Sequence, residues 1–400
     1  MSLTIGKRQY PNRYTRVWED IQQKIYLVDR DIDQVGYLAF SNRLKKRTVK
    51  AEKVEWDYDE LSSRTDTVNG AVVSTTATTI TVDNPTYFIP SEYWINNRSE
   101  EIYGISSVDY ENSQLEVIRG FAGSTAAAIN DGDTFCKIGS YAGEDSNRMV
   151  TRTGSPTTVY NYCQMMRKDL AMTSRQIKRA FKSGEAEFPY QSMKQLKEYR
   201  IDLANQALFS KRDRFTDQYG DDVTTSNGLR PILTTNTYAV NGTMYKNLLD
   251  DFLVDEGFRY GSSSKVLFCS TDVIKAFTGI VDQNLSFQTD ISSKKGVSFG
   301  VTVGKYICPT GQELMLVHDR NISNYFPGEA YGVDMSQLTR CEFSNNGISG
   351  AMHVLTHTEN SDDLGRTDTI FSDQCITYGY EATHFKLSGI SGGSYAASAE

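Results

Sequence analysis

Histidine is nearly absent from this chain of 400 residues: only His318, His353, His357 and His384 occur. So few and so scattered, they give little support to a Ser or Cys catalytic triad. His353 and His357 lie four apart, but the surrounding alternation reads as strand. No HExxH motif or cysteine pair completes a metal site, so both are expected to be ordinary, partly buried histidines. There is no phosphate-binding glycine loop and no dinucleotide fingerprint. The six cysteines, Cys136, Cys163, Cys269, Cys308, Cys341 and Cys375, are far apart and include no CxxC spacing. In a chain too long to need covalent staples they predict reduced thiols. No apolar run approaches membrane-spanning length, and Gly6-Lys7-Arg8-Gln9-Tyr10-Pro11 leads into no signal-like apolar stretch, so the expectation is a protein made and kept in a cytosol, with no membrane partner.

Two local patterns imitate chemistry. Gly389-Ile390-Ser391-Gly392-Gly393 matches a nucleophile elbow, but the acid and base partners that should follow it are missing before Glu400, so residues 389–400 are read as a flexible tail. Asp29, Asp31 and Asp33 resemble the start of a calcium loop, yet position six is Gln34 instead of Gly and position twelve is Phe40 instead of Glu. They are read as solvated or inter-subunit acids. No cofactor, metal or catalytic residue is expected.

What is present is ordinary for a soluble globular chain: 39% hydrophobic and 23% charged residues, with a length that allows two or three domains. The net charge of -8 and a pI near 5.3 argue against general affinity for nucleic acid. The charge is uneven. Residues 1–53 carry twelve Lys or Arg against six Asp or Glu, a basic arm on an acidic body.

Residues 1–34 have turn-forming residues and aromatics but no convincing amphipathic repeat beyond Trp18 to Leu27, which predicts an extended arm with one short helix. Such an arm must be buried by another surface. In residues 35–66, the runs Tyr37 to Leu44 and Thr48 to Tyr58 flank Lys45-Lys46-Arg47 and read as a long hairpin. Residues 67–140 are Thr- and Val-rich with short strand runs separated by Asn, Asp, Gly and Pro, predicting a small β-barrel or sandwich inserted into the chain. Its most informative stretch is Ile118 to Phe135, where Gly120 and Gly123 permit left-handed backbone and Asn130-Asp131-Gly132-Asp133 forms a turn cluster.

The longest helical pattern runs over about 188–214, with Met193, Leu196, Leu203 and Ala207 as one apolar line widened by Ile201, Ala204 and Leu208; it would span about 40 Å. A mixed α/β stretch follows over 228–335. It has a helix after Thr243, a strand at Lys265 to Cys269, a helix near Thr271 to Ile280 and period-two alternation at Val297, Phe299, Val301 and Val303. Further strands are predicted over 336–388. Lys45-Lys46-Arg47 and the run Arg175, Lys178, Arg179 and Lys182 have the charge to contact phosphates; pairing with acidic neighbours on a charged surface is the plainer reading.

The chain order carries a resemblance. A basic arm with Trp18-Glu19-Asp20-Ile21 is followed by a hairpin ending Val54-Glu55-Trp56-Asp57-Tyr58-Asp59-Glu60-Leu61 and by a β-module ending in Arg-Gly and Gly-Asp turns. Then come Val159-Tyr160-Asn161-Tyr162-Cys163-Gln164, a long helix and an α/β body. Late motifs are Lys305-Tyr306-Ile307-Cys308-Pro309-Thr310-Gly311, Leu314-Met315-Leu316-Val317-His318-Asp319-Arg320 and Tyr378-Gly379-Tyr380-Glu381-Ala382-Thr383-His384. This order resembles the major capsid proteins of tailed bacteriophages with the Hong Kong 97-type fold.

The resemblance implies an α+β chain with an N-arm at 1–34, an E-loop at 35–66 and an all-β insertion at 67–140. It places a peripheral (P) domain with its spine helix at 141–227, an axial (A) domain at 228–335 and closing P- and A-domain strands at 336–388. It implies self-assembly through hexamers and pentamers into an icosahedral head around double-stranded DNA, in the virion, after assembly in the host cytoplasm. Portal, scaffold and decoration proteins are possible partners, and DNA is bound non-specifically on the inner face. Many relatives begin with a long charged helical scaffolding segment that a protease removes; the arm here starts within a few residues of Met1, which suggests a separate scaffold or none. Inter-subunit contacts are expected from Trp18, Tyr26, Trp56 and Tyr58 as apolar anchors and from Arg43, Lys45, Lys46 and Arg47 facing acidic patches. Two rivals remain at this stage: a tail, baseplate or decoration protein with a carbohydrate-binding β-module, and a hydrolase using Ser391.

Overall fold

The structure, a computed structural model, describes residues 44–72, 74–144, 153–179, 186–282, 304–345 and 347–394. Two compact units are present, Asp57–Thr158 and the remainder of the chain.

The inserted unit is built from short β-branched and aromatic runs. Its strands are β3 (Thr65–Thr67), β4 (Thr79–Thr81), β5 (Glu92–Asn96), β6 (Ile102–Asp109), β7 (Gln114–Ile118) and β8 (Thr134–Ser140), in the antiparallel order β3-β8-β5-β6-β7-β4. The sheet closes on itself. Val68 bridges Val82, and the Asp83 and Asn69 amides donate to Thr67 and Thr81 carbonyls at 3.1 and 3.0 Å. Closure removes the free edges that a small sheet would otherwise expose. Period-two patterning fills the interior: Leu115 and Val117 of β7 point in while Gln114, Glu116 and Ile118 point out. The core stacks Phe88 on Trp94 at 4.2 Å and Tyr103 on Phe135 at 4.8 Å between ring centroids. The bounds read from sequence, 67–140, fall inside this unit, which begins earlier and ends later.

The other unit holds two main sheets. The first runs β1 (Lys45–Val49), β18 (Thr339–Phe343), β20 (Gly365–Thr377), β10 (Gln164–Thr173), with β19 (His353–Leu355) also on β20. Against it lies the helix Glu187–Phe209, through Tyr199, whose hydroxyl meets Ser372 Oγ at 2.6 Å and donates to the Met166 carbonyl at 3.1 Å. The second sheet runs β13 (Thr237–Tyr245), β21 (Phe385–Ser394), β17 (Ala330–Val333), β14 (Ser264–Cys269), β16 (Glu313–His318), β15 (Lys305–Ile307). Here β13 with β21 and β14 with β16 are parallel. The helix Thr271–Asp282 covers this sheet with Val273, Ala276, Phe277 and Ile280, all buried. Two strand pairs complete the unit, β2 (Lys53–Tyr58) with β9 (Thr157–Tyr162) and β11 (Asp213–Thr216) with β12 (Asp222–Thr225).

Four expectations change. Of the predicted hairpin, the first run up to Arg43 lies outside the described residues, and the expected turn is strand. Lys45-Lys46-Arg47 is not a turn but the body of β1, paired in parallel with Thr339, Arg340 and Cys341. Buried Leu44 and Val49 pin its two ends. The second run, Thr48 to Tyr58, is divided between β1 and β2, and β2 pairs with β9, the two strands that carry the chain into and out of the inserted unit. The long helix ends at Phe209, where Ser210 is extended and β11 takes over. Its buried residues are Phe188, Tyr199, Ala204 and Leu208, whereas Met193 of the predicted apolar line is 49% exposed. Finally, residues 389–394 are strand and not flexible tail: Ile390 is buried and Gly393 lies so close to the Ala276 carbonyl that a Cβ would not fit. The predicted helix near Trp18 and the alternation at Val297 to Val303 lie outside the described residues.

Candidate assembly surface

The basic cluster sits on β1 with Lys45, Lys46, Arg47 and Thr48 all exposed, a row of cations along one strand of the first sheet. Lys45 Nζ reaches the Ser336 carbonyl at 3.4 Å. Charged side chains on such a strand suppress indiscriminate strand pairing and leave Coulombic selection to choose the partner. Trp56 is only half-buried. Its indole donates to the Gly379 carbonyl at 2.8 Å and meets Tyr378 edge-on at 4.9 Å, so much of this residue is already committed within its own chain. Tyr58, two residues on, is on the same face of β2 and is also half-buried. Trp18, Tyr26 and Arg43 lie outside the described residues, so of the expected contact set the structure places Lys45, Lys46 and Arg47 together on β1 and Trp56 with Tyr58 on β2.

Sequence reading missed a complementary surface. The hairpin β11–β12 exposes Asp213, Asp221 and Asp222 together with Tyr219 and Phe215, which are 80% and 47% exposed. Arg214 reaches from it to Glu52 at 3.0 Å and also pairs with Asp222, whose carboxyl it holds below its ordinary pKa. The signal was present as alternating Asp and aromatic residues around Gly220, but it was masked by reading the helix through Arg214.

Two ion-pair networks organise the polar groups inside the inserted unit. Glu101 accepts from Arg119 Nε at 2.8 Å and Nη2 at 2.9 Å, from the Tyr103 hydroxyl at 2.8 Å and from the Ala127 and Gly120 amides at 2.9 and 3.1 Å. Burial alone would push this carboxyl up; Arg119 and the other donors outweigh it and hold it below the usual range. Arg119 also donates to the Ser74, Ala77 and Ala127 carbonyls, at 3.0, 3.0 and 2.5 Å. Gly120, at φ +60°, is left-handed at this point, where a Cβ would meet the Ser124 carbonyl. A second pair, Arg98 to Asp133 at 2.7 and 2.8 Å, fixes the Asn130 to Asp133 turn and lowers the Asp133 pKa to about 2. The stretch that stood out in the sequence is thus the unit's polar framework.

Among the described residues no group of three or more His, Cys, Asp or Glu is arranged to hold a metal. Ser391 lies in β21, in a strand packed parallel to β13.

Residues 6–391 match the SU10 major capsid protein family. The chain belongs to that family. It is a major capsid protein, a building unit of a phage head shell, and its place is the virion. No curated protein matches the chain by sequence. Among solved structures it is similar to the capsid of an empty GTA particle, with 8% identity, 93% of this chain and 94% of that chain covered, and a TM-score of 0.49. It is also similar to the capsid of Myoviridae phage XM1 (8%, 95% and 100% covered, TM-score 0.48) and to Gordonia phage Cozz (10%, 93% and 91% covered, TM-score 0.45).

Proposed function

We propose that this capsid protein builds its shell with the Hong Kong 97-type arrangement and without catalysis. In this reading hexamers and pentamers close an icosahedron around double-stranded DNA, which meets the inner face without sequence preference. Assembly takes place in the host cytoplasm, with portal, scaffold and decoration proteins as partners. The observation that carries the reading is the family match over almost the whole chain, 6–391. The N-terminal arm, residues 1–34, supplies Trp18 and Tyr26 as anchors. Arg43 with the cations of β1 faces the acidic β11–β12 hairpin of a neighbouring copy, and Trp56 and Tyr58 contribute the half-exposed parts of their rings. The inserted unit is carried on the outside of the shell, where an addition has open space. Summed over a closed shell, many such contacts, each weak, give stability that no single one supplies.

Electron microscopy of the purified full chain tests this. Closed shells support the proposal; monomers or small rings under conditions from low to high salt, with and without a co-expressed scaffold, overturn it.

A further inference from the structure

Three cysteines that are remote in sequence converge in one row across the first sheet. Cys375 lies on β20, and its register partner on β18 is Cys341. On its other side, Gln164 of β10 pairs with Gln374, so the next position along, Cys163, faces Cys375. The Cys163 and Cys375 sulfurs are 3.5 Å apart. All three are buried, packed with Val49, Val54 and partly buried Phe343, and all are free thiols. Two neighbouring thiols in contact would be unremarkable packing. A third on the same central residue means that Cys375 has a choice of partners, and the outer two differ. Cys341 is the more acidic: its hydrogen bond with Cys375 pulls its pKa down, helped by Thr377 and by the charge of Arg47, its register partner on β1. Cys375, between two sulfurs, is driven the other way.

We propose that these thiols form one peroxide-sensitive site whose end product is a Cys163–Cys375 disulfide, tying the foot of β9 to the central strand β20. The oxidant is hydrogen peroxide, close to water in size, reaching the buried thiols as the surrounding strands breathe. The Cys341 thiolate attacks one peroxide oxygen, hydroxide leaves, and a sulfenic acid forms. The Cys375 sulfur attacks that sulfenic sulfur, the second oxygen leaves as water, and a Cys341–Cys375 bond results. Cys163 then attacks the Cys375 sulfur and expels the Cys341 thiolate, the better leaving group because it is the more acidic thiol. In sum two thiols lose two electrons and two protons, and one peroxide becomes two waters. Cys341 returns to its starting state. The bond closes a loop across a sequence separation of 212 residues, which restricts the unfolded chain and raises the melting temperature.

The full chain is treated with hydrogen peroxide, its remaining thiols are alkylated in denaturant, and the non-reduced digest is mapped by mass spectrometry. The expected result is a Cys163–Cys375 bridged peptide within one chain, a fall from six free thiols to four, and a melting temperature that rises and returns to its starting value with dithiothreitol. In Cys163→Ser the reaction stops at a Cys341–Cys375 bridge; in Cys341→Ser the wild-type bridge forms more slowly. Six free thiols after oxidation, sulfinic or sulfonic acids without a bridge, or bridges only between chains would each overturn the proposal. The wild-type map decides the question even where a serine variant fails to fold.

Discussion

His384 shows how a single buried residue couples the fold to pH. Its ring is inaccessible to solvent; Nδ1 accepts from the Asp334 amide at 3.0 Å, which leaves Nε2–H to donate to the Tyr378 carbonyl at 3.0 Å. Burial lowers its pKa from 6.5 to about 4. Between those values the unfolded chain binds a proton that the folded one refuses, so stability is complete above pH 6.5 and is lost as pH falls. At pH 5 the loss amounts to about 2 kcal/mol, at 1.36 kcal/mol per pKa unit. Urea unfolding of the full chain at pH 7 and pH 5 should show it, and His384→Asn should remove that component whatever its own stability; an unchanged pH slope in the variant would assign the effect elsewhere. The Glu101–Arg119 pair makes the opposite case, a charge kept by its partner. Removing Arg119 alone strands a buried carboxylate and should cost about 3–5 kcal/mol, whereas replacing both members with apolar residues should cost less. Calorimetry of Arg119→Ala and of the double variant Glu101→Leu/Arg119→Met distinguishes the two, and equal losses would mean that the stranded carboxylate carries no penalty of its own. Neither network was legible as such, since the sequence displays Arg119-Gly120 and Asp133 but not the Glu101 and Arg98 that meet them from other strands.

Elements were legible where their determinants are local. The short strands and turn glycines of the inserted unit, the strand at Lys265 to Cys269 and the helix at Thr271 carry their own periodicity and stops. Elements fixed by distant partners were misread: β1 became a turn because three consecutive cations look solvated, and only the parallel pairing with Thr339 to Phe343 makes them a strand. The spine helix is intermediate. Its existence follows from periodicity and its buried face in part: Ala204 and Leu208 of the expected face are buried, whereas Tyr199, which offers a hydroxyl to Ser372 and Met166, was not in it. The consequence is measurable. Leu208→Ala, which opens a space in the core beside Leu229 and Leu338, should cost about 2–5 kcal/mol, while Met193→Ala should stay within about 0.5 kcal/mol for the unassembled chain. Reversed magnitudes in thermal unfolding would restore the apolar line that the sequence suggested.

At the scale of the whole molecule, the described part of the basic segment is held by the body, with Leu44 and Val49 buried in two of its clusters. Residues 1–53 hold twelve cations in a chain of net charge -8, and the described part of that segment already displays its cations outward on β1. If, as proposed, the basic arm contacts the acidic body of a neighbouring copy, its charge asymmetry favours association of like subunits. Deleting residues 1–30 should therefore spare the melting temperature of the body and abolish shell closure, as read by sedimentation beside the intact chain. Particles of normal size from the truncated chain would count against the arm, and so would a body that no longer folds. Salt separates the two kinds of contact within the arm. Exposed charges are screened over about 10 Å at 0.1 M, so the early rate of assembly should fall as salt is raised if Arg43, Lys45, Lys46 and Arg47 steer the encounter. A rate indifferent to salt would transfer the driving force to the proposed apolar anchors Trp18 and Tyr26, since apolar contacts are insensitive to screening, and reduce the basic strand to a solvated surface.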